Sequence, residues 1–254
     1  MAAQPDIIMV DSESDSGDSQ EIEIRNTAPR HDFIEVFSPP RVTFACQRQG
    51  LVAEHGIDIV TGFDLNTFEG RAATLQLLGK ARPRFLMLSP PCTMYSALQG
   101  LFNLHKMNPQ VLQQRMVEAD SLLKFAMFLC KRQHDRGAFF CFEHPHRATS
   151  WQRPFVQAIL NLPGCQLTAF DQCQTGLVTP GENPKPIRKR TVLMSNAPAI
   201  QAMFGPMQCN CPAASHVHVQ GSVDGIRLST WCQRYTPGLC NNLAEAVART
   251  LGHE

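Results

Sequence analysis

Cys92 and Glu143 are the two side chains of this 254-residue chain whose types and settings equip them for chemistry together. Cys92 follows Phe85-Leu-Met-Leu88 and Ser89-Pro-Pro91. Four consecutive apolar residues predict a strand buried on both faces, and two prolines, lacking the N–H that a ladder needs, stop it. The thiol is thereby presented at a strand's carboxyl end, the edge where open α/β sheets bind ligands. Glu143 follows Ala138-Phe-Phe-Cys-Phe142, a second buried run, and precedes His144-Pro145. If neighbouring parallel strands carry the two runs, a nucleophile and a proton-carrying carboxyl share one crevice. Standing alone, Cys92 reads as one more small buried hydrophobe.

The elements that must hold these residues are legible in outline. Residues 33–37 predict a first strand, which leads through Ser38-Pro39-Pro40 into a helix over 42–49. A second unit runs over 51–58, and after Gly62-Phe63-Asp64-Leu65 the residues Asn66-Thr67 and Glu69 mark a helix start. Asp58 and Asp64 stand near strand ends, where two acceptors suit the hydroxyls and amine of a nucleoside; each also reads as a helix cap or turn former. Residues 98–108 read as a loop. Pro109 opens a long helix to Arg136, with Leu112, Met116, Ala119, Leu123, Ala126 and Cys130 at helical spacing, and this helix is the crossover between the two strands. Then follow an amphipathic segment over 151–160, a strand over 166–170, a Gly- and Pro-rich loop over 175–186, a strand over 191–194 and a closing helix over 237–248. The run Lys185-Pro-Ile-Arg-Lys-Arg190 admits two readings. It is a nuclear import signal or phosphate clamp, or it is the approach to the 191–194 strand with Arg188 and Arg190 on one side.

Pro91-Cys92-Thr93-Met94-Tyr95-Ser96 resembles the Pro-Cys-x-x-Phe-Ser nucleophile motif of the cytosine-5 DNA methyltransferases, with Tyr for Phe. Glu143-His144-Pro145 takes the place of their Glu-Asn-Val, and Pro186 to Arg190 approximates their Gln-x-Arg-x-Arg. Nearer still is the resemblance to methyltransferase-like domains of eukaryotic retroelement polyproteins, in which Glu-x-Pro is followed by a downstream Trp, here Trp151. The resemblance implies a Rossmann-like class I S-adenosylmethionine-dependent methyltransferase fold, of α/β class, over residues 31–254. It implies three catalytic residues. The Cys92 thiolate adds to carbon 6 of a cytosine taken out of the stack, Glu143 holds the ring nitrogen and amino group, and Arg188 supports the ring. It implies cofactor contacts at Phe37, Ser38 and Pro90, at Asp58 for the ribose hydroxyls and at Asp64 for the adenine amine. The family's glycine-rich turn after the first strand is replaced by Ser38-Pro39-Pro40, where prolines remove donors and stiffen the loop. The family's target-recognition domain is also missing. About 40 residues separate Arg190 from Tyr235, short of the roughly 50 of a small domain, so base-edge readout is limited. The implied function is methylation of DNA cytosine in the nucleus. The alternative is a catalytically inactive retroelement-derived module that binds nucleic acid or SUMO, and a third reading moves methyl transfer to RNA.

With 43% hydrophobic and 18% charged residues the chain can bury one sizeable core. No apolar run approaches the roughly 20 residues that span a bilayer, no secretory signal opens the chain, and ten cysteines show no disulfide-framework spacing. The expectation is a soluble intracellular protein with no membrane partner. Residues 1–24 hold seven of the 22 acids and no Lys or Arg, which leaves a moderately basic body compatible with a phosphate backbone. Residues 1–30 read as a disordered acidic tail. Within it Ile7, Ile8, Met9 and Val10, followed by acids and serines, resemble a SUMO-interacting motif that adds a strand to the modifier's sheet edge; the other reading is a chance apolar cluster in a solvated leader. Ser12 precedes Asp15 by three positions, a spacing that acidic-directed kinases use. Finally, Cys209, Cys211, His216 and His218 place four soft or borderline ligands close together, a Cys2His2 set for a structural zinc or else an ordinary loop.

Overall fold

Side-chain alternation along short, doubly covered strands builds the centre of the molecule. The computed structural model describes residues 31–54, 56–97, 100 and 103–253; the SUMO-interacting reading of Ile7 to Val10 lies outside them. The strands are β1 (Phe33–Val36), β2 (Gly56–Ile57), β3 (Phe85–Leu88), β4 (Phe139–Pro145), β5 (Gln166–Asp171), β6 (Ile187–Arg188) and β7 (Arg190–Ser195). All but β6 join one sheet in the order β2-β1-β3-β4-β7-β5, with β2, β1, β3 and β4 parallel and β7 antiparallel to both its neighbours. The fold is mixed α/β around a mostly parallel sheet, compatible with a Rossmann-like arrangement. The chain leaves β1 toward β2 on one side and returns to β3 on the other, so the crevice beyond their carboxyl ends is a topological switch point.

Both faces of the sheet are covered, which is why β1 and β3 are apolar at nearly every position. Phe33, Phe85, Met87, Cys141 and Leu193 pack against α1 (Arg41–Arg48), α5 (Pro198–Phe204) and α7 (Pro237–Leu251). Ile34, Leu86, Leu88, Phe140, Phe142 and Met194 pack against α2 (Phe68–Ala81), α3 (Pro109–Asp135) and α4 (Pro154–Leu160). The helix α3 is the expected crossover, capped by Asn108, whose Oδ1 accepts from the Gln110 amide at 2.9 Å, with proline in the first turn. Between β5 and α7 lies a small lobe. In it β6 pairs with β8 (Val217–His218), β9 (Ser222–Val223) pairs with β10 (Ile226–Arg227), and α6 (Leu228–Trp231) closes a minor core of Leu177, Ile187, Leu228 and Cys232.

The proline turn after β1 changes how this edge is packed. Pro40 lies against β2 so closely that a Cβ on Gly56 would come within 3.0 Å of its ring. Glycine is needed on the strand rather than in the turn. Glu35 is fully buried on β1 and caps α1 from below. It accepts from the Val42 and Thr43 amides at 3.2 and 3.3 Å and from the Thr43 hydroxyl at 3.0 Å. The unpaired amides of the first turn of α1 are thus satisfied from the core.

Candidate functional site

The site forms where β3 and β4 end side by side. Leu88 and Phe142 are in register, so Ser89 and Glu143 are the next residue on each strand. Beyond Pro90-Pro91, Cys92 adopts φ −98° and ψ 0°, the sparsely allowed bridge region, and starts the short turn Thr93–Tyr95. Tyr95 fixes that turn. Its ring is buried, its hydroxyl donates to Asp120 Oδ1 at 2.7 Å, and Arg153 pairs with the same oxygen at 3.1 Å. A hydroxyl on this ring therefore ties the Cys92 turn to α3 and α4.

His144 ties it to β4. Its Nδ1 lies 2.7 Å from Ser150 Oγ and its Nε2 3.2 Å from the Pro90 carbonyl, so neutral histidine donates to Pro90 and accepts from Ser150. Burial holds the imidazole down at a pKa of about 4. Trp151 donates from Nε1 to the Pro145 carbonyl at 2.8 Å and sets its edge against Phe142. The His and Trp that flank Glu143 are therefore positioning residues for the two strand ends.

Glu143 is buried, and Oε2 accepts from the Tyr235 hydroxyl at 3.1 Å; that hydroxyl in turn accepts from Ser89 Oγ at 2.8 Å. Burial raises the carboxyl's pKa, against the opposing pull of Lys189 and Tyr235. Cys92 is pushed up to about 11 by burial and then by the Glu143 charge, while Lys189 lowers it. Lys189, between β6 and β7, donates from Nζ to the Cys232 carbonyl at 2.7 Å. Arg188 is exposed, in register with His218, and Arg190 pairs with Asp171 at 3.0 Å. The two arginines stand on different sheets, Arg188 on β6 and Arg190 on β7, and the charge that reaches Cys92 and Glu143 is that of Lys189 between them.

The chain matches no family model and no curated protein. The arrangement offers a partly exposed thiol, a buried carboxyl held by a tyrosine, and a lysine whose charge reaches both.

The expected cofactor edge lies next to this cluster. Phe37 follows β1 with φ +64°, a strained conformation for a bulky residue, and Ser38 Oγ donates to the Pro39 carbonyl at 3.0 Å. Asp58 caps the turn Ile59–Thr61, accepting from the Val60 amide at 3.0 Å. Asp64 Oδ1 accepts from the Asn66 amide at 3.0 Å and its side chain at 3.1 Å. Both acids thus serve as cap and turn former. The Asp64 turn sits so tightly on α2 that a Cβ at Gly70 would collide with the Asp64 carbonyl. Pro90 is buried. A cleft of about 280 Å³ opens instead between the Cys92 turn and α3, lined by Asn66, Pro91, Thr93, Met94, Arg115 and Glu118, and none of the expected cofactor contacts lines it. That is near the lower bound of about 300 Å³ for small-molecule pockets.

The four sequence-adjacent metal candidates do not gather as a set. Among the described residues, Cys173, Cys209 and His216 bring ligand atoms within 4.8 Å of one another. Cys211 contacts Cys209, whereas His218 is exposed on β8. Sequence reasoning passed over Ser89, Cys173, Lys189 and Tyr235. One signal was available: the chain has two tyrosines, and a buried phenolic hydroxyl needs a partner; both are bonded within this site.

Glu35 and His144 give stability opposite pH slopes. Burial pushes Glu35 up to about 7 from 4.5, so its contribution is present below 4.5 and lost as pH rises through 7. His144 is depressed from 6.5 to about 4, so its contribution is present above 6.5 and lost as pH falls through 4. Each shift corresponds to about 3 kcal/mol at full extent. Glu35→Gln is expected to make stability rise with pH across this window, and His144→Gln to make it fall. Urea midpoints measured across the range check this; two variants that keep the wild-type profile would refute it.

Proposed function

We propose that the chain methylates carbon 5 of cytosine in DNA, using S-adenosylmethionine. The observation that carries this reading is the trio of Cys92, Glu143 and Lys189 at the adjoining ends of β3 and β4, with Tyr235 fixing the carboxyl. The strand order, with one reversed strand between two of the opposite direction, supports a class I methyltransferase fold.

A protonated carboxyl offers one donor and one acceptor, the complement of cytosine's N3 acceptor and exocyclic amine donor. Burial favours that protonated form of Glu143. In the proposed reaction the Cys92 proton passes to Glu143, which delivers its own to N3. The sulfur bonds carbon 6, the C5=C6 pair shifts toward C4 and N3, and carbon 5 becomes electron-rich. Lys189 offsets the negative charge that develops on sulfur and carboxyl while the two protons move. When bound, S-adenosylmethionine supplies an electrophilic methyl group for that carbon. Loss of the carbon 5 proton to water then restores the double bond and expels Cys92 as a thiolate, which recovers its proton from Glu143 as N3 returns its own to that carboxyl.

The nucleoside end of the cofactor is assigned to Phe37, Asp58, Asp64 and Pro90, which follow β1, β2 and β3 in the chain. The amino-acid end departs from the glycine-loop pattern, because Glu35 takes the first amides of α1 and Pro39-Pro40 packs on Gly56. That departure favours a second reading, a catalytically inactive module that keeps the fold to bind nucleic acid. Calorimetry with S-adenosylmethionine separates them. Binding is expected, weakened about tenfold in Asp64→Ala by loss of one hydrogen bond to the adenine. An absence of binding heat would remove methyl transfer to DNA and to RNA alike and leave the module.

A further inference from the structure

We infer that Cys173, Cys209, Cys211 and His216 hold a tetrahedral zinc ion that fastens the 209–218 segment to the end of β5. The set joins two distant stretches. Cys173 stands in the turn Gln172–Thr175 that follows β5, and Cys209 and His216 come from the small lobe. Cys209 Sγ lies 3.4 Å from His216 Nε2. A tetrahedron with Zn–S of about 2.3 Å and Zn–N of about 2.0 Å has sulfur–nitrogen edges of about 3.5 Å, so this pair already stands at ligating separation. Cys211 completes the set. Its amide and thiol both reach the Cys209 sulfur, and its exposed position leaves the thiol room to turn onto a metal.

The surroundings orient these ligands. Asp171 Oδ2 accepts from the Cys209 amide at 2.9 Å and is itself paired with Arg190. Ser215 Oγ lies 3.4 Å from His216 Nδ1, which leaves Nε2 facing the sulfurs. Four protein ligands with no open position make the site structural rather than catalytic. The lobe it serves has little else to hold it, since Leu177, Ile187, Leu228 and Cys232 are the buried members of its core. A metal clip replaces the missing apolar burial. It also bears on the candidate active site, because Lys189 is anchored on the Cys232 carbonyl of this lobe.

Full-length chain purified without added metal is expected to carry about one zinc per molecule by mass spectrometry of the elements. Cobalt exchanged into it should show thiolate-to-cobalt charge transfer and tetrahedral d–d absorption. Cys173→Ser is expected to weaken cobalt binding about a hundredfold or more, and His218→Ala to leave it unchanged. Alkylation of the native wild-type chain needs no variant. Cys173, Cys209 and Cys211 should be protected until a chelator is added, while Cys165 reacts equally in both states. The inference is overturned by absence of retained metal and of the cobalt bands, by a Cys173–Cys209 disulfide in place of free thiols, or by His218→Ala releasing metal as fully as Cys173→Ser.

Discussion

DNA carrying 5-fluorocytosine is expected to be trapped covalently by the wild-type chain in the presence of S-adenosylmethionine, through a bond from Cys92 sulfur to carbon 6. Fluorine at carbon 5 cannot leave as a proton does, so the reaction stops with the thioether intact. At neutral pH a thiol raised to about 11 is almost wholly protonated. Deprotonating it there costs about 5.5 kcal/mol, at roughly 1.4 kcal/mol per unit of pKa. Part of that cost is the Glu143 charge, which the protonated carboxyl favoured by burial does not carry. Trapping should therefore vanish in Cys92→Ala and Cys92→Ser, with methyl transfer reduced on the order of 10⁴-fold or more. Glu143→Gln keeps a donor and an acceptor but carries no proton between sulfur and N3, so a loss of about 10²- to 10⁴-fold is expected. The measurement is a denaturing gel of labelled duplex with adduct mapping by mass spectrometry. Wild-type protein that binds cofactor and DNA yet yields no adduct would exclude cytosine-5 chemistry.

The residues at the centre of that expectation were legible in the sequence because they depend on local rules. Phe85 to Leu88 reads as a buried strand and the two prolines as its end, and these fix where Cys92 emerges. The same holds for Phe139 to Phe142 and Glu143, and a 27-residue helix between them leaves little choice but parallel neighbours. Lys189 was hidden by a different physics. Alternation put Arg188 and Arg190 on one side of a single approach to the strand, but β6 leaves the main sheet to pair with β8, and the chain passes from one sheet to the other at Lys189. Cys173 was invisible for the same reason. Its partners are brought to it by the lobe's path, and proximity in sequence favoured His218, which the β6–β8 pairing holds on the surface. Asp58 and Asp64 show the converse: their local use as cap and turn former was readable from Asn66, Thr67 and Glu69 nearby.

The distinction between Lys189 and its arginine neighbours yields the second large effect. Lys189→Met is expected to lower the methyl-transfer rate constant about 10²- to 10³-fold, the usual consequence of removing one preorganised charge from a buried site. The same variant should move the pH midpoint of Cys92 alkylation upward, because Lys189 is the charge that lowers the Cys92 pKa. Lys189→Arg, which keeps the charge with altered geometry, should restore the midpoint more fully than the rate. Arg188→Met should leave the midpoint and rate constant near wild type. Its guanidinium is exposed on β6, so if DNA crosses this face its loss weakens binding uniformly across sequences and reduces the salt slope by about one. Because Lys189 also bonds the Cys232 carbonyl, lost stability alone says nothing about its electrostatic role. The alkylation midpoint decides the question: a Lys189→Met chain that is folded and keeps the wild-type midpoint would show that the lysine only holds the lobe, and an Arg188→Met chain with a raised midpoint would return the catalytic charge to the arginine.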